Sequence, residues 1–375
     1  MFHLSKPLLR WGLPLILSAL FLLFVLWLNS AGKIPLVVRQ GQSFETGVVI
    51  DILRDNLQPD GTRAGEQKLL VKMTSGIRAG ETLETTSSSG YLFGAGCTVG
   101  MKVILIQSVA GDATVSAVYA QNRGGALLLF AGLYLLTLCL VGGQQGVKGA
   151  LGLLFTFLCI LFVYLPMVGR GFSPFWTAVF VCVVTTLVTL WLIGGPTRKT
   201  AVAAGGTVAG VVIAGAAASL FSSASGITGW NVSDIESLMS LANAGNIQVG
   251  GLLFSGLLIS SLGAVMDVAM SIASAIREIY DQNPALSRRA LFRAGMRVGR
   301  DLMGTDSNTL ILAFAGSSAS MLVLDYAYDL PFLQIINSNN IGIAVMQGLS
   351  GSFGIVLSVP VTVGLSVAVY TWNRP

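Results

Sequence analysis

What most limits this chain is a recurrence of apolar blocks about twenty residues long, the length an α-helix needs to cross a hydrocarbon core. The first block runs from about Trp11 to Leu28. Others follow near 124–143, 149–166, 174–194, 201–221, 247–276, 304–324 and 341–372, which makes eight expected spans. Only 10% of the 375 residues are charged, whereas soluble domains carry about a quarter. So few charges cannot solvate a chain of this length as one globule. The 45 glycines show no G-X-Y period, which excludes a collagen-like rod. The expected fold class is therefore an α-helical polytopic membrane protein.

Orientation follows from the basic residues. With the N-terminus inside, the cytoplasmic segments hold Lys6, Arg10, Lys148, Arg198, Lys199, Arg277, Arg288, Arg289, Arg293, Arg297, Arg300 and Arg374. The short outer loops hold Arg170 against Asp234, Glu236, Asp325 and Asp329. That asymmetry is what the positive-inside rule requires. Both termini are expected in the cytoplasm and residues 33–123 outside. Lys6 and Arg10 before the first block, with Ser30-Ala31-Gly32 after it, also fit a signal peptide. The apolar stretch is long for one, so residues 1–32 are expected to be an uncleaved anchor. The remaining 124–375 form a seven-helix membrane domain with a basic cytoplasmic loop at 277–303.

The external segment has the pattern of a small β domain. Runs rich in apolar and β-branched residues at 45–53, 67–74, 81–86, 99–109 and 113–120 are separated by Pro59-Asp60-Gly61, Ser75-Gly76 and Ala110-Gly111-Asp112. Five or six short strands in about ninety residues suit an OB-like barrel. Its aromatics are Phe44, Tyr91, Phe93 and Tyr119, too few for a base-stacking face, so a docking or spacer role is expected.

Several chemistries drop out. The net charge of +5 suggests nucleic acid, but much of the excess basic charge sits in short loops between spans, where it sets orientation, so no nucleic-acid partner is expected. His3 is the single histidine, which removes histidine-based catalysis and most metal sites. Cys139, Cys159 and Cys182 lie in apolar blocks and leave Cys97 alone outside, so neither a disulfide framework nor a zinc site is expected. Gly194-Gly195-Pro196-Thr197-Arg198-Lys199-Thr200 ends like a phosphate loop but has Arg where Gly is needed, and no strand precedes it. No cofactor and no enzymatic reaction are expected.

Polar residues inside the spans carry what functional information there is. Asp267 lies ten residues before Arg277, the expected cytoplasmic end of its span, and so about 15 Å deep. A carboxylate at that depth costs about 2.5–3.5 kcal/mol on insertion scales and should face protein or water. Gly256, Ser260, Gly263, Asp267, Ser271, Ser274 and Glu278 recur at spacings of four and three, one stripe of the helix. That stripe is expected to face inward, either lining a polar path or packing closely through its small residues. In the next span Asp301, Thr305, Asn308, Ala315 and Ala319 share a face. Asn308 is placed to hold a polar group or Asp267 itself. Asp301 and Asp306 are expected at the cytoplasmic boundary, with Arg300 and Asp301 as an ion pair.

Asn283-Pro284 is a credible start for a basic helix carrying Arg289, Arg293, Arg297 and Arg300, suited to lie on the anionic inner leaflet. Pro360, among Gly348, Gly351 and Gly354, is expected to kink or break the last span. Gly205, Gly206, Gly210 and Gly215 suggest a tight helix contact.

Gly263-Ala264-Val265-Met266-Asp267-Val268-Ala269-Met270-Ser271-Ile272-Ala273-Ser274 resembles the central motif of the YibE/F-like family. So do Gln282-Asn283-Pro284, Gly299-Arg300-Asp301-Leu302-Met303-Gly304-Thr305 and Asn308-Thr309-Leu310-Ile311-Leu312-Ala313; Asp306-Ser307 departs from the family pattern. The likeness covers most of 260–316, and more loosely about 125–372. It implies a YibE-type arrangement in a bacterial cytoplasmic membrane. It also implies a partner, either a further copy or a YibF-like subunit, but no substrate or reaction.

The leading expectation is a transporter or permease for a small solute or ion. Asp267, Ser271, Ser274, Thr305 and Asn308 would line its path. The alternative is a scaffold subunit whose external domain docks a partner, in which case deleting 40–120 should abolish activity.

Overall fold

The computed structural model describes residues 6–30, 41–88, 94–110, 113–232, 235–244 and 247–372. His3, Tyr91, Phe93, the Gly111-Asp112 turn, Asp234, Arg374 and the Ala31-Gly32 end of the cleavage-like site lie outside them. The chain forms two compact units, Val37–Thr137 and Met1–Leu36 joined with Leu138–Pro375.

The smaller unit is a closed five-stranded barrel of β1 (Gln42–Arg54), β2 (Glu66–Met73), β3 (Thr82–Ser88), β4 (Lys102–Ala110) and β5 (Ala113–Gln121). Strand order round the ring is β1-β2-β3-β5-β4, and all pairs are antiparallel except β3 with β5, which meet at Thr86 and Ala117. The period-two pattern puts Gln67, Leu69, Val71 and Met73 of β2 inside. They pack with Val49, Val103, Leu105, Val118 and Cys97. Gly61 (φ 82°) and Gly76 (φ 86°) occupy the turns, where a left-handed backbone favours glycine.

One polar side chain crosses this core. The Gln67 amide accepts the Cys97 backbone N–H at 2.7 Å and donates to the Asp55 carboxylate at 2.8 Å. Asp55 also pairs with Arg63 at 2.8 Å. The Gln67 hydrogen bond, then the Asn56 N–H and Arg63, hold the Asp55 carboxyl below its ordinary range. Burial pushes the Cys97 thiol up, which keeps it unreactive.

In sequence α1 (Lys6–Ser30), part of the larger unit, precedes the barrel and α2 (Gly124–Cys159) follows it, passing from the smaller unit to the larger after Thr137. At Gly143 (φ 53°, ψ −133°) α2 abandons helical geometry, and Gly146 comes against the Leu138 carbonyl eight residues back. A straight helix would separate those residues by about 12 Å, so the chain doubles back there. A π-helical turn, Ile160–Tyr164, continues α2 into α3 (Leu165–Gly169). Next come α4 (Pro174–Gly194), α5 (Arg198–Ser225), α6 (Ile235–Ala244), α7 (Leu252–Gln282), α8 (Arg288–Ser317), α9 (Ala319–Ala327), α10 (Phe332–Ile336) and α11 (Asn339–Thr371).

Five helical stretches are long and apolar enough to cross a membrane: Gly124–Gly169, Pro174–Gly194, Arg198–Ser225, Val249–Gln282 and Asn339–Thr371. The pair α8–α9, bent by 57°, makes a sixth if taken as one span. The described apolar part of α1, Ser18–Ser30, is shorter.

Helix α11 is central, packed on α5, α7 and α8. Gly210 of α5 sits against Val265, Ser358 and the Gly354 carbonyl, and Gly206 against Thr362, the tight contact expected from those glycines. Helix α11 runs unbroken through Pro360. Ser358 and Thr362, on either side of the proline, donate their hydroxyls to the Ile355 and Ser358 carbonyls. The break expected in the last span falls instead between α8 and α9.

Helix α1 is packed against the larger unit. Leu28 is 2% exposed, Phe21 meets Phe155 at 5.6 Å, and Asn29 donates to the Phe162 carbonyl at 2.8 Å. The Arg170 guanidinium donates to the Leu28 and Trp27 carbonyls and lies over the Trp27 ring. It thus covers carbonyls that the end of a helix leaves open, where a cation is favoured.

Candidate functional site

Helix α7 has two unlike sides. Leu257, Leu258, Ser261, Val265, Val268, Ala269, Ile272, Ala273 and Ile276 are buried against the bundle. Gly256, Ser260, Gly263, Asp267, Ser271 and Glu278 are exposed, and Ser274 is half-buried. A Cβ added at Gly256 or Gly263 would meet nothing within 4 Å. The stripe expected to face inward therefore faces out of the single chain. The physical reason is that the β-branched and aliphatic residues on the other side fill the space between α5, α8 and α11. Asp267 stands at the middle of α7, about 22 Å from each end.

Helix α8 starts earlier than expected. The segment read as a loop over 277–303 is the end of α7, a short turn, and the first half of α8, so the basic helix is not a separate element lying on the leaflet. Its N-cap is Ser287, whose hydroxyl accepts the Ala290 N–H at 3.2 Å, and Asn283-Pro284 lies in the preceding turn. Gly295 and Gly299 let α8 approach closely: Ile276 and Val363 press on the first, Ile272 and Val359 on the second.

That contact fixes the register of two antiparallel helices. Ile276 stands beside Gly295 and Ile272 beside Gly299, so Asp267 is level with Gly304. Thr305 and Asp306 flank it at the same level, and Asn308 lies one turn further along α8. Asp306 stands well inside α8 (Arg288–Ser317), close enough to Asp267 for the two carboxyls to interact electrostatically. Starting the helix at residue 304 puts it near an end instead. The clue was available in the sequence: Gly295 and Gly299, four apart, form a packing face on a helix that runs back to Ser287. Arg300 and Asp301 form no ion pair among the described residues, since neighbours one apart diverge on a helix.

The structure brings Asp267 and Thr305 to one level, with Asn308 one turn to one side and Ser271 and Ser274 one and two turns to the other, toward the Gln282 end of α7. Asp301, Gly304, Thr305 and Asn308 are exposed, as is Asp267. Ser274 donates to the Met270 carbonyl at 2.8 Å, Ser260 to Leu257 at 3.0 Å and Thr305 to Asp301 at 3.4 Å. With their protons committed to their own helices, these hydroxyls present lone pairs outward. Asp267 and Asn308 have no hydrogen-bond partner among the described residues, and Asn308 does not bond to Asp267. The surface offers acceptors and one unsatisfied amide, an arrangement able to receive a cation, a proton or a donor-bearing group. Toward lipid it would cost about 2.5–3.5 kcal/mol per charge.

The cavity of about 270 Å³ in this unit lies elsewhere. Phe221, Ile227, Asn337, Ser338, Asn339 and Val345 are among its walls.

No curated protein and no solved structure matches the chain. A family model described as YibE/F-like protein matches residues 130–372, from within α2 to the end of α11 and across the whole Asp267 surface. That is nearly two thirds of the sequence, and on it the chain belongs to the YibE/F-like family.

Proposed function

We propose that this chain is a multipass permease of a bacterial cytoplasmic membrane, moving a small solute or ion past Asp267. The observation that carries the reading is a carboxylate at the midpoint of a membrane-length helix, turned away from the apolar core, level with Thr305 and Asp306 and one turn from Asn308. Packing requires no charge there, and lipid penalises one. Water or a passing polar species is the environment that suits it. Ser271 and Ser274 extend the same surface toward the cytoplasmic side, and proton exchange at Asp267 couples the movement.

In this reading the membrane is crossed eight times, by α1, the two arms of α2 either side of Gly143, α4, α5, α7, the bent α8–α9 pair and α11. Both termini are cytoplasmic, and the barrel is extracytoplasmic. Its strand order, closed by a parallel β3–β5 pair, supports an OB-like fold. We assign no reaction. Aspartic proteases share one proton between carboxyls about 3 Å apart, whereas Asp267 and Asp306 make no hydrogen bond to each other.

The test is flux in proteoliposomes. Full-length protein should move protons with its solute, and Asp267→Asn should abolish the coupled flux while leaving expression and folding intact. Coupled flux that persists in the variant removes Asp267 from the mechanism. A scaffold is the second reading, favoured by Ile77, fully exposed at the β2–β3 turn, and by the exposed Tyr119 packed edge-on against Phe44. It foresees no flux from either protein.

A further inference from the structure

The outward surfaces of α7 and α8 carry opposite charge. Along α7 the exposed residues toward the cytoplasmic end are Asp267, Ser271, Arg277, Glu278, Asp281 and Gln282, and Arg277 is neutralised by its own ion pair with Asp281, which leaves Asp267 and Glu278 as net acid. Along α8 they are Arg289, Arg293, Arg297 and Arg300. None of the four arginines is in an ion pair among the described residues. The Ile276–Gly295 and Ile272–Gly299 contacts fix which residues share a depth. Glu278 is level with Arg293, Ser274 with Arg297, Ser271 with Arg300 and Asp267 with Gly304. Going the other way, Gly263 is level with Asn308 and Gly256 with Ala315. At these levels an acid or hydroxyl on α7 matches a cation on α8, or a glycine on either helix matches a larger or equally small residue.

Within one chain these pairs do not meet. The two helices touch through their isoleucine and glycine faces, and the charged faces point outward. Copies inserted with the same topology differ only by rotation about the membrane normal, so each residue keeps its depth. We propose that a second copy of this chain covers the α7–α8 face by a two-fold rotation, setting α7 of each copy against α8 of the other. A two-fold interface is self-complementary and makes each contact twice. Glu278 then meets Arg293 of the other copy, the hydroxyls of Ser274 and Ser271 meet Arg297 and Arg300, and Asp267 receives the unsatisfied Asn308 amide. Gly263 leaves room for that amide, and Gly256 and Ala315 let the helices close. Charge complementarity thus selects the chain itself as the occupant. The inference rests on the same surface as the permease reading and names its missing wall; its test reads mass and cross-linking rather than flux, so either can fail alone.

Full-length protein solubilised from membranes should have the mass of a dimer. Glu278→Arg should weaken dimerisation by about a hundredfold or more, as a like-charge juxtaposition made twice does, and Glu278→Arg with Arg293→Glu should restore it. In a background without the four native cysteines, a Ser274→Cys copy and a separately tagged Arg297→Cys copy should cross-link on oxidation in native membranes. A Ser274→Cys copy with a Leu220→Cys copy, exposed on α5, should not. The proposal is overturned by a dimer indifferent to the reversal, by no Ser274–Arg297 cross-link between correctly inserted copies, or by a monomer whose arginines retain anionic lipid.

Discussion

Gly210 is the sharpest structural test of the helix core. A Cβ placed there would lie 2.5 Å from Val265 Cγ1, 2.9 Å from Ser358 Cβ and 3.0 Å from the Gly354 carbonyl oxygen. None of these can yield cheaply. Val265 and Ser358 are fully buried, valine is stiff at χ1, and the third atom is backbone. Gly210→Ala must therefore push α5 away from α7 and α11, an overpacking that costs about 1–3 kcal/mol. At about 2 kcal/mol the unfolded fraction rises roughly thirtyfold, and the midpoint of a unit this size falls by about 4–8 °C.

Gly364 on α11 is the control, because its added Cβ meets nothing within 4 Å and alanine favours helix by up to about 1 kcal/mol. The assay is thermal loss of the monodisperse peak of purified full-length protein, measured side by side. If Gly210→Ala is as stable as Gly364→Ala, the three-helix contact at Gly210 does not exist as described.

Two further outcomes follow from other contacts. Asp55 has a depressed carboxyl, so its stabilisation is present above the unfolded value near pH 4 and is lost as pH falls through the lower folded value. Wild-type barrel unfolding should therefore lose stability below about pH 4, and Asp55→Asn should flatten that dependence; a titration unchanged by the substitution refutes it. Arg170→Gln removes the cation covering the end of α1 and should lower the midpoint by several degrees, for a charged hydrogen-bonded contact of about 2 kcal/mol; an unaltered midpoint means α1 is not held there.

The barrel was largely legible because two local signals coincide. Alternation in Gln67–Met73 and left-handed glycines at Gly61 and Gly76 each mark where strands run and stop. The α7 stripe was legible for a similar reason, since a period of 3.6 needs no tertiary knowledge. Its direction was not. Periodicity separates two faces of a helix but does not say which one the rest of the chain covers, and in a membrane the polar face has no default side. The start of α8 was obscured by its arginines, which resemble a loop when counted as charges and a helix when Gly295 and Gly299 are counted as contacts. The depth of Asp306, and so half of the candidate site, depended on that choice. Pro360 does not break α11: the helix continues through it, packed on α5, α7 and α8.

The hold of Arg170 on Leu28 joins residues 142 positions apart, with the whole barrel between them. At a synthesis rate of about 5–20 residues per second, Arg170 leaves the ribosome roughly 7–28 s after Leu28. Helix α1 must wait that long without this neighbour. The barrel strands, paired within an 80-residue stretch from Gln42 to Gln121, are all made before Arg170 exists. Assembly is thereby ordered in time: the small unit has its sequence complete first, and the N-terminal helix is secured only afterwards, before most of α4 to α11 has been made.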